Sequence, residues 1–353
     1  MQKLSEEEYL HKALKIWGID KEYIDERIKD RIGISAIEKL YQYYNSGIKN
    51  ELIFNDEGRI DLEKIHFEKS MIKVNNSSKA YGWIIFPDLS TGLLKIGLEQ
   101  KDEEAGKKSR YATLISMIIA RKMGIESASY YLTTNKINNK VKNELGYVYT
   151  PNFLKENEEF ISGLDIGTDS VVRMELRGCT SNIDMERVEK GLEIYLKNRR
   201  FGKEEINSVR KSFIKQCIVS KILENRDEAN RNWGIIISNN ENEEQQIQRN
   251  VKIAPMYDFE YNLQDKYTVE ERTINENKDI DEFINHYSKE EWFNEWINDK
   301  VLKLDMEEVY KSVLETSKIT IPNQYRKEFK NKTEQSINKI KNIYNKDIKS
   351  SER

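Results

Sequence analysis

The chain has 353 residues, with 58 Lys plus Arg against 61 Asp plus Glu and a formal net charge of -3. A domain that grips nucleic acid through bulk positive charge carries a clear basic excess, and this near-balance excludes that class. The hydrophobic fraction of 38%, the aromatic fraction of 10% and the mere four Pro exclude wholesale disorder and fibrous repeats, and the length implies two or three globular domains or lobes.

In chain order, residues 1–50 read as three short helices. Ser5 with Glu8 and Ser35 with Glu38 have capping-box spacing; Ile24, Ile28 and Ile32, then Ile37, Leu40, Tyr41 and Tyr44, form apolar stripes; Gly18, Gly33 and Gly47 are stops. From residue 51 to about 97 the pattern turns to strands, ELIF, SMIKV, YGWIIF and GLLKIG, which predict a small antiparallel sheet. Residues 109–123 place Tyr111, Leu114, Ile115, Ile118 and Ile119 on one helical face before Gly124, and a strand pair, SASYYLTT and LGYVYT, ends at Pro151.

Beyond residue 152 the chain reads as mostly helical, with helices over 185–199 and 203–224. A polar loop, NRDEANRN, a strand, WGIII, a polar insert at 239–249 expected to be a solvated hairpin tip, and a strand, VKIAPMY, follow. A last helix from Pro322 carries Tyr325, Phe329, Ile337, Ile340 and Tyr344 on one face and lysines on the other. No stretch approaches the roughly 18 apolar residues of a membrane span, and the acidic start points to the cytoplasm, with secretion as an effector lacking a signal peptide left open. Cys179 and Cys217 are too far apart for a zinc or disulfide framework, and His11, His66 and His286 each stand alone, which argues against a histidine metal site.

One constellation carries chemistry. A long helix feeds a polar loop holding Asp227 and, five residues on, Asn232; a short hairpin then leads to Asp258. Phosphoryl transfer from ATP needs a carboxylate to orient the acceptor hydroxyl, which suits Asp227, and oxygen ligands for Mg²⁺, which suit Asn232 and Asp258. A lysine for the phosphates is expected on the small sheet, and Lys95 in GLLKIG is the candidate. The turn NNSSK, with Ser77, Ser78 and Lys79, could cover the phosphates with backbone N–H groups.

The run N-x-D-x-x-x-x-N-W-G at 225–234, followed by A-P-x-Y-D at 254–258, resembles the HipA-like family of bacterial serine/threonine kinases, whose members commonly show D-R-H-x-x-N-W-G and a later P-x-Y-D. The segment GYVYTPNFLKENEEFISG at 146–163 resembles that family's stretch between its lobes, and the likeness extends from about residue 71 to about 262. The resemblance implies an α+β, two-lobed protein-kinase-like fold. A helical extension would occupy 1–50, a small antiparallel-sheet lobe 51–152, and a mostly helical lobe 153–353. It implies an ATP- and Mg²⁺-dependent serine/threonine protein kinase, a toxin or effector, with Asp227 catalytic, Asn232 and Asp258 holding magnesium, and Lys95 on ATP. Its partners would be a protein with a Ser/Thr acceptor and a neutralising or docking protein. Glu228 and Ala229 replace the family's Arg-His, and Arg231 could supply the missing charge beside the phosphates. Phe259 and Glu260 likewise replace its Asn-Gly. The alternatives are a nucleotide-binding pseudokinase and a small-molecule phosphotransferase.

Overall fold

The structure is a computed structural model and describes residues 3–16, 34–69, 80–95, 103–134, 136–137, 141–142, 146–175, 185–225, 232–241, 247–259, 262–263 and 284–351. The expected middle helix of the first 50 residues, the strand SMIKV, the turn with Ser77, Ser78 and Lys79, and both Asp227 and Arg231 lie outside the described residues. The chain divides into two compact units. The first comprises Met1–Arg110, Ser129–Asn152 and Thr316–Ile319; the second comprises Tyr111–Ala128, Phe153–Glu315 and Thr320–Arg353.

In the first unit α1 (Glu6–Ile16) opens with a complete capping box: Ser5 N–H donates to Glu8 Oε2 at 2.8 Å, and Glu8 N–H donates back to Ser5 Oγ at 3.3 Å. Three glutamates fill its first turn, where the helix dipole favours negative charge. α2 (Ile34–Asn45) places Ser35 inside its first turn instead of at the cap, and ends at Gly47, whose φ of 85° closes the helix. Tyr9, Ala13, Leu14, Ile37 and Leu40 bury the facing stripes against Ile85. The buried Tyr9 hydroxyl donates to the Pro87 carbonyl at 2.7 Å, which fastens α1 to the sheet.

That sheet contains β1 (Glu68–Lys69), β2 (Ala80–Ile85), β3 (Thr91–Lys95), β4 (Tyr131–Leu132) and β7 (Val148–Pro151), in the order β1-β2-β3-β7-β4, every neighbour antiparallel. β5 (Lys136–Ile137) and β6 (Val141–Lys142) pair separately. Side chains alternate between faces: Ile84, Leu94 and Tyr149 join a core with Ile60, Leu62 and Phe86, while Ile85 points to the helices. Gly92 is required here, since a Cβ would lie 2.2 Å from the Tyr149 ring. ELIF, expected as a strand, makes one isolated bridge, Phe54 to Ile60. The Asn55 side chain accepts the N–H groups of Glu57 and Arg59, closing a turn where a ladder would otherwise extend.

α3 (Glu103–Lys122) runs from the first unit into the second and stops at Gly124, φ 76°, with no atom near a would-be Cβ, so the backbone angle alone calls for glycine. In the second unit β8 (Glu158–Ser162) leads into the short helices α4 (Gly163–Thr168) and α5 (Ser170–Glu175), then α6 (Met185–Asn198) and α7 (Lys203–Ile222). β9 (Gly234–Glu241) and β10 (Ile247–Ile253) complete an antiparallel sheet in the order β10-β9-β8. Ile235, Ile237 and Ile253 face the helical core of Leu192, Leu196, Val209 and Phe213. The described ends of the insert expected as a solvated hairpin tip do extend the hairpin, down to Glu241 paired with Ile247, with Asn239 and Arg249 exposed; residues 242–246 lie outside the described residues. The rest is helical: α8 (Glu291–Trp296), a π-helical turn at Ile297–Val301, α9 (Met306–Ser317) and α10 (Asn323–Ser351). α10 buries Tyr325, Phe329, Ile340 and Tyr344, whereas Lys339, Lys341 and Lys346 are exposed. Among the described residues no helix is long and apolar enough to cross a membrane.

Two predictions follow from the packing of α1 and α2. Deleting residues 1–50 uncovers Ile85 and the Pro87 carbonyl, so the truncated protein should be insoluble or bind hydrophobic dye; a soluble, cooperatively melting truncation would show that these helices are not needed for folding. Burial, with Asp88 adding to it, pushes the Tyr9 phenol above its ordinary value of 10.0. A raised folded value contributes stability in full below pH 10, and that contribution is lost as pH rises through the folded value. Denaturant titrations should therefore show wild type about 1 kcal/mol more stable than Tyr9→Phe at pH 8, the worth of one hydrogen bond, and a gap that shrinks above pH 10.

Candidate active site

The second unit builds its candidate site at one end of the β9–β10 hairpin. Ile235 pairs with Ile253 at the last rung, and Ala254 N–H donates to Gly234 O at 2.9 Å just beyond it. Asn232, two residues before β9, and Asp258, five residues after β10, therefore leave the same end of the ladder although 26 positions separate them in sequence. Asp258 is half-buried with φ of 64°, a left-handed backbone that a non-glycine residue holds at a cost.

The motif residues around these two have structural work that the sequence pattern did not disclose. Trp233 packs its indole 4.7 Å from the Phe213 ring and against Gly163, where a Cβ would stand 2.2 Å from it. Gly163 N–H donates to Trp233 O at 2.9 Å. A Cβ on Gly234 would lie 2.4 Å from the Ile161 carbonyl, so β8 and β9 close up only on glycine. On the other strand, the buried Gln216 amide donates to Ala254 O at 2.7 Å; Met256 N–H reaches Glu126 O at 2.8 Å and Ala128 N–H returns to Met256 O at 2.9 Å. Tyr257 stacks on Phe153 at 5.9 Å and meets Phe160 edge-on at the same distance. Phe259 is fully buried. The chain before Asp258 is thus fixed from three sides.

Just beyond α7, Asn225 N–H donates to Ser220 O at 3.0 Å, and Leu263 N–H donates to Leu223 O at 2.9 Å, so the chain after Asp258 meets the end of α7. Lys95 belongs to the first unit. It ends β3, the central strand, paired with Ala80 and Val148, and is half-buried on the face opposite Leu94. Ser77, Ser78, Lys79, Asp227 and Arg231 are outside the described residues. Among the described residues no group of three or more His, Cys, Asp or Glu gathers into a metal cluster. The pair that does leave the hairpin end together, one carboxylate and one neutral carboxamide oxygen, suits a hard cation such as Mg²⁺ that keeps positions for water and phosphate oxygens.

A cavity of about 390 Å³ lies on the face of the three-stranded sheet opposite the helical core, lined by Glu158, Ile236, Ser238, Asn250 and Lys252 among others. Gly234 shares this face by strand alternation. Burial pushes Glu158 up, but the Lys155 N–H and the Lys252 ammonium, 3.3 Å away, outweigh it and hold the carboxyl below its ordinary range. Sequence reasoning missed this cavity and missed Gln216. The available signal for Gln216 was a polar residue three positions after Phe213, within the helix's apolar stripe.

The crystal structure of a Helicobacter pylori proinflammatory kinase, CtkA, superposes on 83% of this chain and 99% of its own with a TM-score of 0.54 at 13% identity. The fold is kinase-like. A Shewanella oneidensis MR-1 toxin–antitoxin complex of HipA, HipB and operator DNA aligns over 86% of this chain and 70% of that one, with a TM-score of 0.40 at 9% identity. No protein-family model and no curated protein sequence matches the chain.

The close approach at Gly234 gives a stability test. Gly234→Ala should lower unfolding free energy by about 1–3 kcal/mol through overpacking against β8. Gly167→Ala in α4, where a Cβ meets nothing within 4 Å, should be neutral or slightly stabilising in the same urea titration.

Proposed function

We propose that this chain is an ATP- and Mg²⁺-dependent serine/threonine protein kinase of the HipA-like kind, acting as a toxin or effector in the cytoplasm. The observation that carries the reading is the hairpin register that sends Asn232 and Asp258 off one end of one ladder, within a kinase-like fold. In this reading residues 51–152 form the ATP lobe, residues 153–353 the catalytic lobe, and residues 1–50 an added helical layer.

Each residue has a distinct task. Asp227 accepts the hydrogen bond of the acceptor hydroxyl and takes its proton as the oxygen bonds to the γ-phosphorus, while the bond from that phosphorus to the β–γ bridging oxygen breaks and ADP leaves. Asn232 and Asp258 would hold Mg²⁺, which when bound offsets charge between the β- and γ-phosphates. Lys95 pairs with the phosphates, and the turn of Ser77, Ser78 and Lys79 covers them with N–H groups. Arg231 adds positive charge where Glu228 and Ala229 stand in place of the family's Arg-His. The cavity beside Glu158 and Lys252, of a size that ligand pockets commonly have, receives the nucleoside portion on the sheet face that Gly234 shares.

Transfer of labelled phosphate from ATP to protein tests the assignment. Asp227→Ala should lower the rate about 10²–10⁴-fold, the usual contribution of a positioned base. Equal incorporation by wild type and variant sinks it. Stabilisation by Mg-ATP without any transfer would identify a pseudokinase, which the loss of Arg-His after Asp227 favours as the second reading. Turnover of a sugar, lipid or aminoglycoside with no protein acceptor would identify a small-molecule phosphotransferase.

A further inference from the structure

Four residues beyond Asp258 the chain buries Asn262 completely. Its side-chain nitrogen donates to Ser116 Oγ at 3.2 Å, across 146 positions of sequence, and its oxygen Oδ1 is buried with no hydrogen-bond partner. Ser116 is itself fully buried on α3, within a run of Ile, Met and Leu, and Thr113 lies buried one turn before it.

For folding alone this arrangement returns little. One neutral hydrogen bond is set against an orphaned acceptor whose lost hydration costs at least as much, and an apolar residue would fill the space without that cost. What the pair supplies is position. The backbone is left-handed at Asp258, φ 64°, and again at Leu263, φ 55°, neither of them glycine. Such conformations persist only where the surroundings impose them. Here Phe259 and Leu263 are fully buried, Asn262 N–H closes a turn onto Phe259 O at 3.2 Å, and Leu263 N–H reaches Leu223 O. Those contacts anchor the segment to itself and to the end of α7. The Asn262 side chain adds a tie to α3.

We propose that Asn262 and Ser116 form a positioning latch: their hydrogen bond ties Asn262 to α3 and, through Phe259 and the turn bond that Asn262 makes onto it, aims the Asp258 carboxylate at magnesium. Asn262 and Ser116 act through Asp258 and touch neither nucleotide nor acceptor. The proposal rests on the kinase reading above, with Asp258 as a metal ligand. The sequence after Asp258 reads D-F-E in place of the family's D-N-G, so it lacks the glycine found there in the family.

The test uses the full chain, with Ser116→Ala, Asn262→Ala, the double variant and Ser116→Thr. Thermal stabilisation by a non-hydrolysable ATP analogue is measured across a Mg²⁺ titration, and phosphate transfer is followed alongside. Each single alanine variant should raise the Mg²⁺ concentration for half-maximal stabilisation about tenfold, and the double should raise it no further, the behaviour of two residues sharing one interaction. Analogue binding without Mg²⁺ should be unchanged, and Ser116→Thr, which keeps the hydroxyl, should recover most of the effect. A purely structural pair would instead lower the melting temperature and leave the Mg²⁺ requirement in place, which overturns the latch; so would single effects that multiply in the double variant. Ser116→Ala deletes one oxygen atom and removes the same bond from the other side, so it decides the matter even where Asn262→Ala does not fold. Failure of wild type to respond to Mg²⁺ and analogue at all would overturn the kinase reading itself, a result separate from wild type responding and the variants matching it.

Discussion

The antiparallel ladder between β9 and β10 is the constraint from which the candidate site derives its geometry. Seven consecutive rungs, from Glu241 with Ile247 to Ile253 with Ile235, fix the register of the two strands, and a shift by one residue would turn Ile235, Ile237 and Ile253 out of the helical core. Burial of those isoleucines therefore determines where Asn232 and Asp258 emerge. The apolar face of the hairpin thus sets the positions of Asn232 and Asp258 along the chain's path.

Close approach is the second determinant. Glycine at 163 and 234 allows Trp233 and β8 to press against β9, so the tryptophan next to Asn232 becomes part of the core while the asparagine stays at its edge. The same division holds on the returning strand, where Tyr257 joins an aromatic trio and Phe259 is buried, while Asp258 between them is half-exposed in a strained conformation. Alternation of anchored and presented residues is how a short segment holds one polar group still without burying it. Buried charge elsewhere in the second unit follows the same rule of compensation: Arg210 bridges Glu189 on α6 and Glu290, 2.8 Å away, and burial pushes the Glu189 carboxyl up despite that partner.

Much of this could be read from the chain. The capping box at Ser5 and Glu8, the apolar stripe of α2, the alternation in GLLKIG and the glycine after α3 are local signals, each set by backbone geometry within a few residues, and the structure carries them. The hairpin between Asn232 and Asp258 was equally legible, because two apolar strand runs along the chain are all it requires. ELIF misled because Asn55, one position beyond it, captures the backbone donors that a strand would have used. The polar insert at 239–249 reads as a hairpin tip, and its described ends continue the hairpin through backbone hydrogen bonds that polar residues make as readily as apolar ones.

What the sequence determined by itself was a mixed chain with a small antiparallel sheet, a helical remainder and a set of oxygen-bearing residues in an order suited to phosphoryl transfer. Tertiary structure decided the rest: that α1 and α2 belong to the sheet's own core through Tyr9 and Ile85, that the tryptophan and glycines of the motif are packing residues, and that Asn262 meets Ser116. The physical reason is range. Caps, turns and periodicity are interactions between near neighbours, whereas a hydrogen bond across 146 positions exists only once the second unit has folded and brought its partners together.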